Sequence, residues 1–260
     1  MASASVGDKD RISEISRTLL SARRNAGSLP GFPGALPTSL AEAYAVQDLS
    51  RELWDERVAG WKVGGIPAPQ AAVLGANFLA GPIFASTIIH AAGDQVFPMP
   101  IYAQGGAAIE AEFVLQLGDS RDQDRVFIGV EIASSPIVGI NQIGALAVIC
   151  DFGNNRGLLV GPEIENWRDR FASPITVTAH IDGELVGTRV LDNPNEGITA
   201  ACDFLLDHAR LREIDLPTGT YVSTGAITGI HDAKAGARST LDFADAGALQ
   251  IELVALQRDQ

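Results

Sequence analysis

The sequence predicts an α+β protein: a mostly antiparallel, rolled β-sheet with a helical lobe at its N-terminal end. Three observations predict it. Helical periodicity is concentrated ahead of Val58, strand-like runs recur from Val58 onward, and no Gly-x-Gly-x-x-Gly leads a strand into a helix as a dinucleotide fold requires. Residues 1–57 are read as the lobe and residues 58–260 as the β-roll domain.

The first ten or so residues lack a periodic apolar pattern and are expected to be loosely ordered. From about Asp10 to Ala26, Ile12, Ile15, Leu19 and Leu20 recur at helical spacing, and Gly27 supplies a stop. Ser28 to Pro37 is a loop by its prolines and glycines. A second helix starts at Thr38 or Ser39. Ser39 with Glu42 matches a capping box, and Ala43, Val46, Leu49, Leu53 and Trp54 carry the helix to about Arg57.

Gly60 to Gly65 reads as a short strand, followed by turn punctuation at Gly75, Gly81-Pro82, Gly93 and Pro98-Met99-Pro100. Strand-like runs then cover Ala108 to Leu117, Val126 to Ile132, Leu146 to Asp151 and Gly157 to Val160. Further runs cover Ile175 to Ile181, Glu184 to Leu191, Thr220 to Ser223 and Leu249 to Leu256. Asp182-Gly183 between two of them is a hairpin turn. One helix interrupts this half, Gly197 to Arg212, with Ile198, Ala201, Phe204, Leu205 and Ala209 on one face.

At 46% hydrophobic over 260 residues, the chain can bury a substantial core. Its net charge of −13 argues against nucleic acid or an anionic membrane surface as partner. No apolar run is long enough to span a bilayer, and the N-terminus lacks the basic and apolar regions of a signal peptide, so the cytoplasm is the expected location. Cys150 and Cys202 do not make a disulfide framework, and Cys150 reads as a buried structural thiol. There is no Walker-type loop and no Gly-x-Ser-x-Gly elbow, and the four histidines lack metal-ligand spacing.

The chemistry-bearing signal is Glu110 and Glu112, one residue apart in an apolar strand-like run. Residues i and i+2 of a strand share a face, so both carboxylates would project into one space. A divalent cation with oxygen ligands would relieve their repulsion; an exposed sheet face would do the same. A third acid, Glu131, sits between Val130 and Ile132, where burial without a partner is costly. Three acids could ligate an ion and leave positions open for catalysis. Lys62, between Trp61 and Val63, is either a desolvated lysine of lowered pKa that binds a carboxylate or transfers protons, or a surface lysine at a strand end. Asp151 and Arg156 flank a polar loop that lines a pocket or simply turns, and Arg156 offers a planar fork for a carboxylate. Ser223 to Gly229, including Thr228, is a loop that holds substrate oxygens or a tight turn of small residues.

These segments resemble the hydratase/decarboxylase branch of the fumarylacetoacetate hydrolase superfamily. The likeness runs through Leu40-Ala-Glu-Ala-Tyr-Ala-Val-Gln-Asp, Gly60-Trp-Lys-Val-Gly, Ile109-Glu-Ala-Glu-Phe-Val-Leu and Val130-Glu-Ile-Ala-Ser-Ser. It continues in Asp182-Gly-Glu-Leu-Val and Gly219-Thr-Tyr-Val-Ser-Thr-Gly-Ala-Ile-Thr-Gly. The resemblance implies a β-roll like the superfamily's C-terminal domain, a homo-oligomer, and Mg²⁺ or Mn²⁺ held by Glu110, Glu112 and Glu131. It implies a small 2-oxo acid substrate gripped through its oxo and carboxylate oxygens, with Lys62 and Asp151 at the catalytic centre and Thr228 close to substrate. The expected activity is a hydro-lyase of aromatic catabolism acting on a 2-hydroxydienoic acid such as 2-hydroxypenta-2,4-dienoate. Decarboxylation or C–C hydrolysis, with Arg156 holding a second carboxylate, is the alternative, and a non-catalytic 2-oxo-acid-binding scaffold is a third.

Overall fold

The computed structural model describes residues 6–257. Residues 6–10, expected to be loosely ordered, belong instead to the first helix, and the same expectation for residues 1–5 lies outside the described residues. Helix α1 spans Val6–Arg24 and α2 spans Leu40–Trp54. Ser39 caps α2 by accepting from the Glu42 amide at 3.3 Å, while Glu42 Oε2 accepts from the Thr38 amide at 3.2 Å. Asp55, left-handed at φ 58°, ends it two residues before the expected stop.

The chain continues as β1 Val58–Gly65, α3 Ala68–Leu74, β2 Phe78–Phe84, β3 Ile88–His90 and β4 Val96–Ile101. The long strands β5 Gly106–Gln116 and β6 Arg125–Ser135 follow, then α4 Ile140–Ile143, α5 Ala145–Cys150, β7 Asn155–Glu163 and α6 Trp167–Arg170. The remainder is β8 Ile175–Ile181, β9 Glu184–Leu191, α7 Pro194–Arg212, β10 Tyr221–Ser223, β11 His231–Asp232, β12 Arg238–Asp242 and β13 Ala248–Ala255. Strands β8 and β9 fall where period-two patterning and Asp182-Gly183 place them.

The strands form two sheets. One runs β2-β1-β10-β5-β6-β7-β3, with β11 also on β5; the other runs β4-β13-β12-β8-β9. Most pairings are antiparallel, but β1–β10, β3–β7 and β4–β13 are parallel, so both sheets are mixed. The main core lies on one face of β5 and β6: Ile109, Phe113, Ile128 and Val130 pack with Val177, Leu241 and Ile251 of the second sheet. Strand alternation sends Glu110, Glu112 and Val114 to the opposite face, where Val114 joins Ile83, Phe127, Leu158 and Val160. A further cluster ties Ile15 and Leu19 of α1 and Val46 of α2 to Leu79 and Ile149, so the N-terminal helices cover the side of the sheet nearest α5.

Three expectations are corrected. Leu146 to Asp151 reads as a strand, but Ala145–Cys150 is a helix. A six-residue apolar run is ambiguous in period, and Gln70 Oε1, which accepts from the Ala145 amide at 2.8 Å, satisfies a helix N-terminus there. Pro98-Met99-Pro100 reads as a turn but lies inside β4, an edge strand on which the two prolines forfeit no essential ladder bond while Phe97, Met99 and Ile101 point inward. Gly81-Pro82 also reads as a turn but lies in edge strand β2. A side chain at Gly81 would stand 2.4 Å from the Phe152 carbonyl oxygen, so glycine is required by close backbone approach rather than by a turn. Both cysteines are buried and unpaired, and no helix of the described residues is long and apolar enough to cross a membrane.

His208 of α7 is buried against Tyr44 and Phe204, with ring centroids 4.7 and 5.6 Å away. Burial, aided by the neighbouring Arg212 charge, lowers its pKa to about 4. The unfolded chain would take up a proton near the ordinary histidine value of about 6.5, which the folded chain refuses. Stability contributed at this site is therefore full above about pH 6.5 and is lost as pH falls towards about 4. Melting temperatures of wild type and His208→Gln across this window should diverge, the variant showing the flatter dependence; parallel curves would contradict this.

Candidate active site

The hairpin of β5 and β6 sets Glu110 directly across from Glu131, and Glu112 follows two residues along the same face. All three are buried, Glu112 and Glu131 completely. One carboxylate oxygen from each lies within 4.8 Å of the others. Burial is the larger cause that raises the Glu110 pKa, to about 7, with Glu131 adding to it and Lys62 opposing. Glu112 is raised well above the ordinary range by burial and by the charges of Glu131 and Glu110.

Lys62 of β1 reaches this cluster, its Nζ 2.9 Å from Glu131 Oε2. The expectation of a lowered lysine pKa is overturned. Burial does pull it down, but Glu131, Glu110 and Glu112 together outweigh burial and raise it. Ser223 of β10 lies in register with Lys62 and donates its hydroxyl to Glu112 Oε2, which also accepts from the Gly225 amide at 3.1 Å. Asn155 Nδ2 donates to Glu131 Oε1 at 2.9 Å. Glu112 Oε1 is buried with no hydrogen-bond partner. Three oxygen-bearing acids, one free buried oxygen and a single ammonium make a site whose donors fit a hard divalent cation.

Of the three acids, Glu110 lines a cavity of about 360 Å³, together with Lys62. Its polar walls are Gln70, Asn141 and Asn154; Leu79, Val148 and Ile230 supply apolar surface. Behind Lys62, Phe152, Gly153 and Asn154 are consecutively left-handed, at φ 57°, 67° and 62°. Non-glycine residues adopt this only where surrounding contacts impose it. Here Phe152 packs with Leu20 and Phe84, and a side chain at Gly153 would stand 2.9 Å from Gly81 Cα and 3.0 Å from Lys62 Cδ. The lysine stem thus rests on bare backbone.

Of the residues singled out from sequence, Glu110, Glu112, Glu131, Lys62 and Ser223 converge. The other three neither join them nor line the cavity, although Ala226 and Gly229 beside one of these, Thr228, do line it. The Asp151 carboxylate is taken by Arg23, Nε to Oδ1 at 2.6 Å and Nη2 to Oδ2 at 2.9 Å, with both side chains buried. Arg156 lines a different cleft with Tyr102 and Trp54. Thr228 Oγ1 lies 3.0 Å from His231 Nε2, close under Gly187 of β9. Sequence reading missed Asn155, Arg23, Gln70, Asn141 and Asn154. Only the Asn154-Asn155 pair, in the loop already suspected of lining a pocket, carried a usable signal.

No family model matches the sequence, and none of the curated proteins matches it. Solved structures do match. One is 4-oxalocrotonate decarboxylase from Pseudomonas putida G7 complexed with magnesium and adipate: TM-score 0.72, 17% identity, covering 95% of this chain and 98% of that one. Another is fumarylpyruvate hydrolase from Pseudomonas aeruginosa in complex with Mn²⁺ and pyruvate: TM-score 0.54, 16% identity, covering 77% and 91%. A third is 2-hydroxyhepta-2,4-diene-1,7-dioate isomerase from Mycobacterium marinum: TM-score 0.51, 14% identity, covering 77% of each chain. These neighbours are members of the fumarylacetoacetate hydrolase superfamily, and this chain has their α+β fold.

The Arg23–Asp151 pair spans 128 residues and is sealed from water, so removing one partner strands a buried charge. Arg23→Met should destabilise the fold by about 3–5 kcal/mol. Adding Asp151→Leu should recover a large part of that loss in denaturant titrations. A double variant no more stable than the single one would contradict the assignment.

Proposed function

We propose that this chain is a divalent-metal-dependent lyase, a hydratase acting on a small 2-oxo or 2-hydroxydienoic monoacid such as 2-hydroxypenta-2,4-dienoate. The observation that carries it is the buried three-carboxylate cluster, with its unpartnered Glu112 oxygen, one of whose acids, Glu110, lines a cavity sized for a small molecule. Glu110, Glu112 and Glu131 would hold Mg²⁺ or Mn²⁺. When bound, the ion supplies Lewis-acid stabilisation to negative charge developing on the oxo and carboxylate oxygens of the substrate.

The protein's own groups do the rest. Ser223 and the Gly225 amide orient Glu112, and Asn155 orients Glu131. Lys62 Nζ, charged and lining the cavity, would deliver a proton to the terminal carbon of the dienol. As the conjugated ketone forms, the enol hydroxyl gives up its proton and restores Lys62; water then adds its oxygen at the next carbon and its proton to the carbon beside the oxo group. Asp151 acts as a positioning residue: through Arg23 it anchors the left-handed turn on which Lys62 rests. A role in aromatic catabolism, in the cytoplasm and as a homo-oligomer, belongs to the same reading.

The cavity favours a monoacid. Among the described residues that line it, Lys62 is the one cation, and the other polar side chains are the Glu110 carboxylate and the amides of Gln70, Asn141 and Asn154. Adipate and the 1,7-dioate named for two neighbours carry a second carboxylate, for which this wall offers no charge. Arg156, which would have held such a group in a decarboxylase, faces another cleft.

Purified protein should hydrate 2-hydroxypenta-2,4-dienoate with added Mg²⁺ or Mn²⁺ and discriminate against diacid analogues. Glu110→Gln with Glu112→Gln should abolish both metal retention and turnover. Lys62→Met should lower kcat about 10²–10⁴-fold with the metal retained. Unchanged turnover in the double variant, or preference for the diacid, would overturn the proposal.

A further inference from the structure

Strands β6 and β7 slip by one residue between the pairs Ile132–Gly157 and Ala133–Asn155, leaving Arg156 as the extra, unpaired residue of a bulge. A bulge re-aims the side chain it carries. Asn155 reaches Glu131, whereas Arg156 enters a separate cleft of about 520 Å³. There its guanidinium lies 5.8 Å from the Tyr102 ring centre, and its Nε is buried with no hydrogen-bond partner. No carboxylate of the described residues comes within 4.0 Å of it, although most other arginines in this acidic chain are paired.

The rest of the cleft is also unusual for a protein of net charge −13. Arg24 lines it, stacked over Trp54, and Arg23 backs it from its pair with Asp151. Glu56 is the one acid among its described lining residues, and it accepts from Ser86. Trp54, Phe84 and Tyr102 supply flat apolar walls. A mostly desolvated guanidinium without a counter-ion is costly, and its planar fork matches a carboxylate.

We propose that the Arg156 cleft is a second anion site, separate from the three-acid cluster, that takes a small organic carboxylate with a flat unsaturated body. The carboxylate pairs with Arg156 and the body stacks between the aromatic walls. Recognition here requires no catalysis, so it stands apart from the proposed hydratase activity.

Benzoate titrated into the whole protein by isothermal calorimetry provides the test. One saturable site is expected. Arg156→Gln should weaken it at least about tenfold, the size of one lost charge-assisted bond. Glu56→Gln, which removes the opposing acid and leaves Arg156 in place, should tighten it; this arm holds even if Arg156→Gln folds poorly. Glu110→Gln with Glu112→Gln should leave it unchanged. No saturable binding, equal affinity in folded Arg156→Gln, or loss in the acid-pair variant would overturn the proposal. Inorganic phosphate binding at Arg156 where benzoate does not would overturn the carboxylate assignment.

Discussion

Three buried carboxylates and one buried ammonium are gathered beside a single cavity. Among the described residues, Lys62 alone brings positive charge to them. Lys62 can neutralise one of the acids, and the field of all three keeps its own proton bound. The remaining pair must share protons or a cation, because two like charges at this distance in a poorly polarisable interior repel strongly. Around this imbalance the local structure is organised: the hairpin register that aligns Glu110 with Glu131, the hydroxyl and amide that grip Glu112, and the asparagine that grips Glu131.

A cluster of this kind needs a rigid frame. The sheet supplies it by burying opposite faces of β5 and β6 in different surroundings, apolar core on one side and the acids on the other. The left-handed turn at Phe152–Asn154 adds a second constraint. It presses backbone against Gly81 and the stem of Lys62, so the lysine has little freedom to leave the acids. Arg23 and Asp151 close that turn from behind, linking the first helix to the site through one ion pair. The N-terminal helices therefore brace the acid cluster without lining its cavity.

Much of this was legible in the chain itself, for identifiable reasons. Glu110 and Glu112 declare a shared face because strand periodicity is two, and Glu131 declares burial because its neighbours are Val130 and Ile132. Asp182-Gly183 and the capping residues around Ser39 act locally, so their elements fall where expected. What stayed hidden depends on distance or on small displacements. The partner of Asp151 lies 128 residues away. The prolines of β4 are tolerated only because that strand is an edge, and Gly81 is required by a backbone that approaches from β2's far side in sequence. Arg156 was expected beside the acids, and a one-residue slip in pairing sends it elsewhere.

A cation filling the space between Glu110, Glu112 and Glu131 would resolve this imbalance of charge. Anomalous diffraction from crystals grown with Mn²⁺ measures that directly. A single strong peak within bonding distance of one oxygen from each of the three acids is the predicted result. Crystals in which manganese is absent there, with the three carboxylates instead bonded to one another and to Lys62, would contradict it.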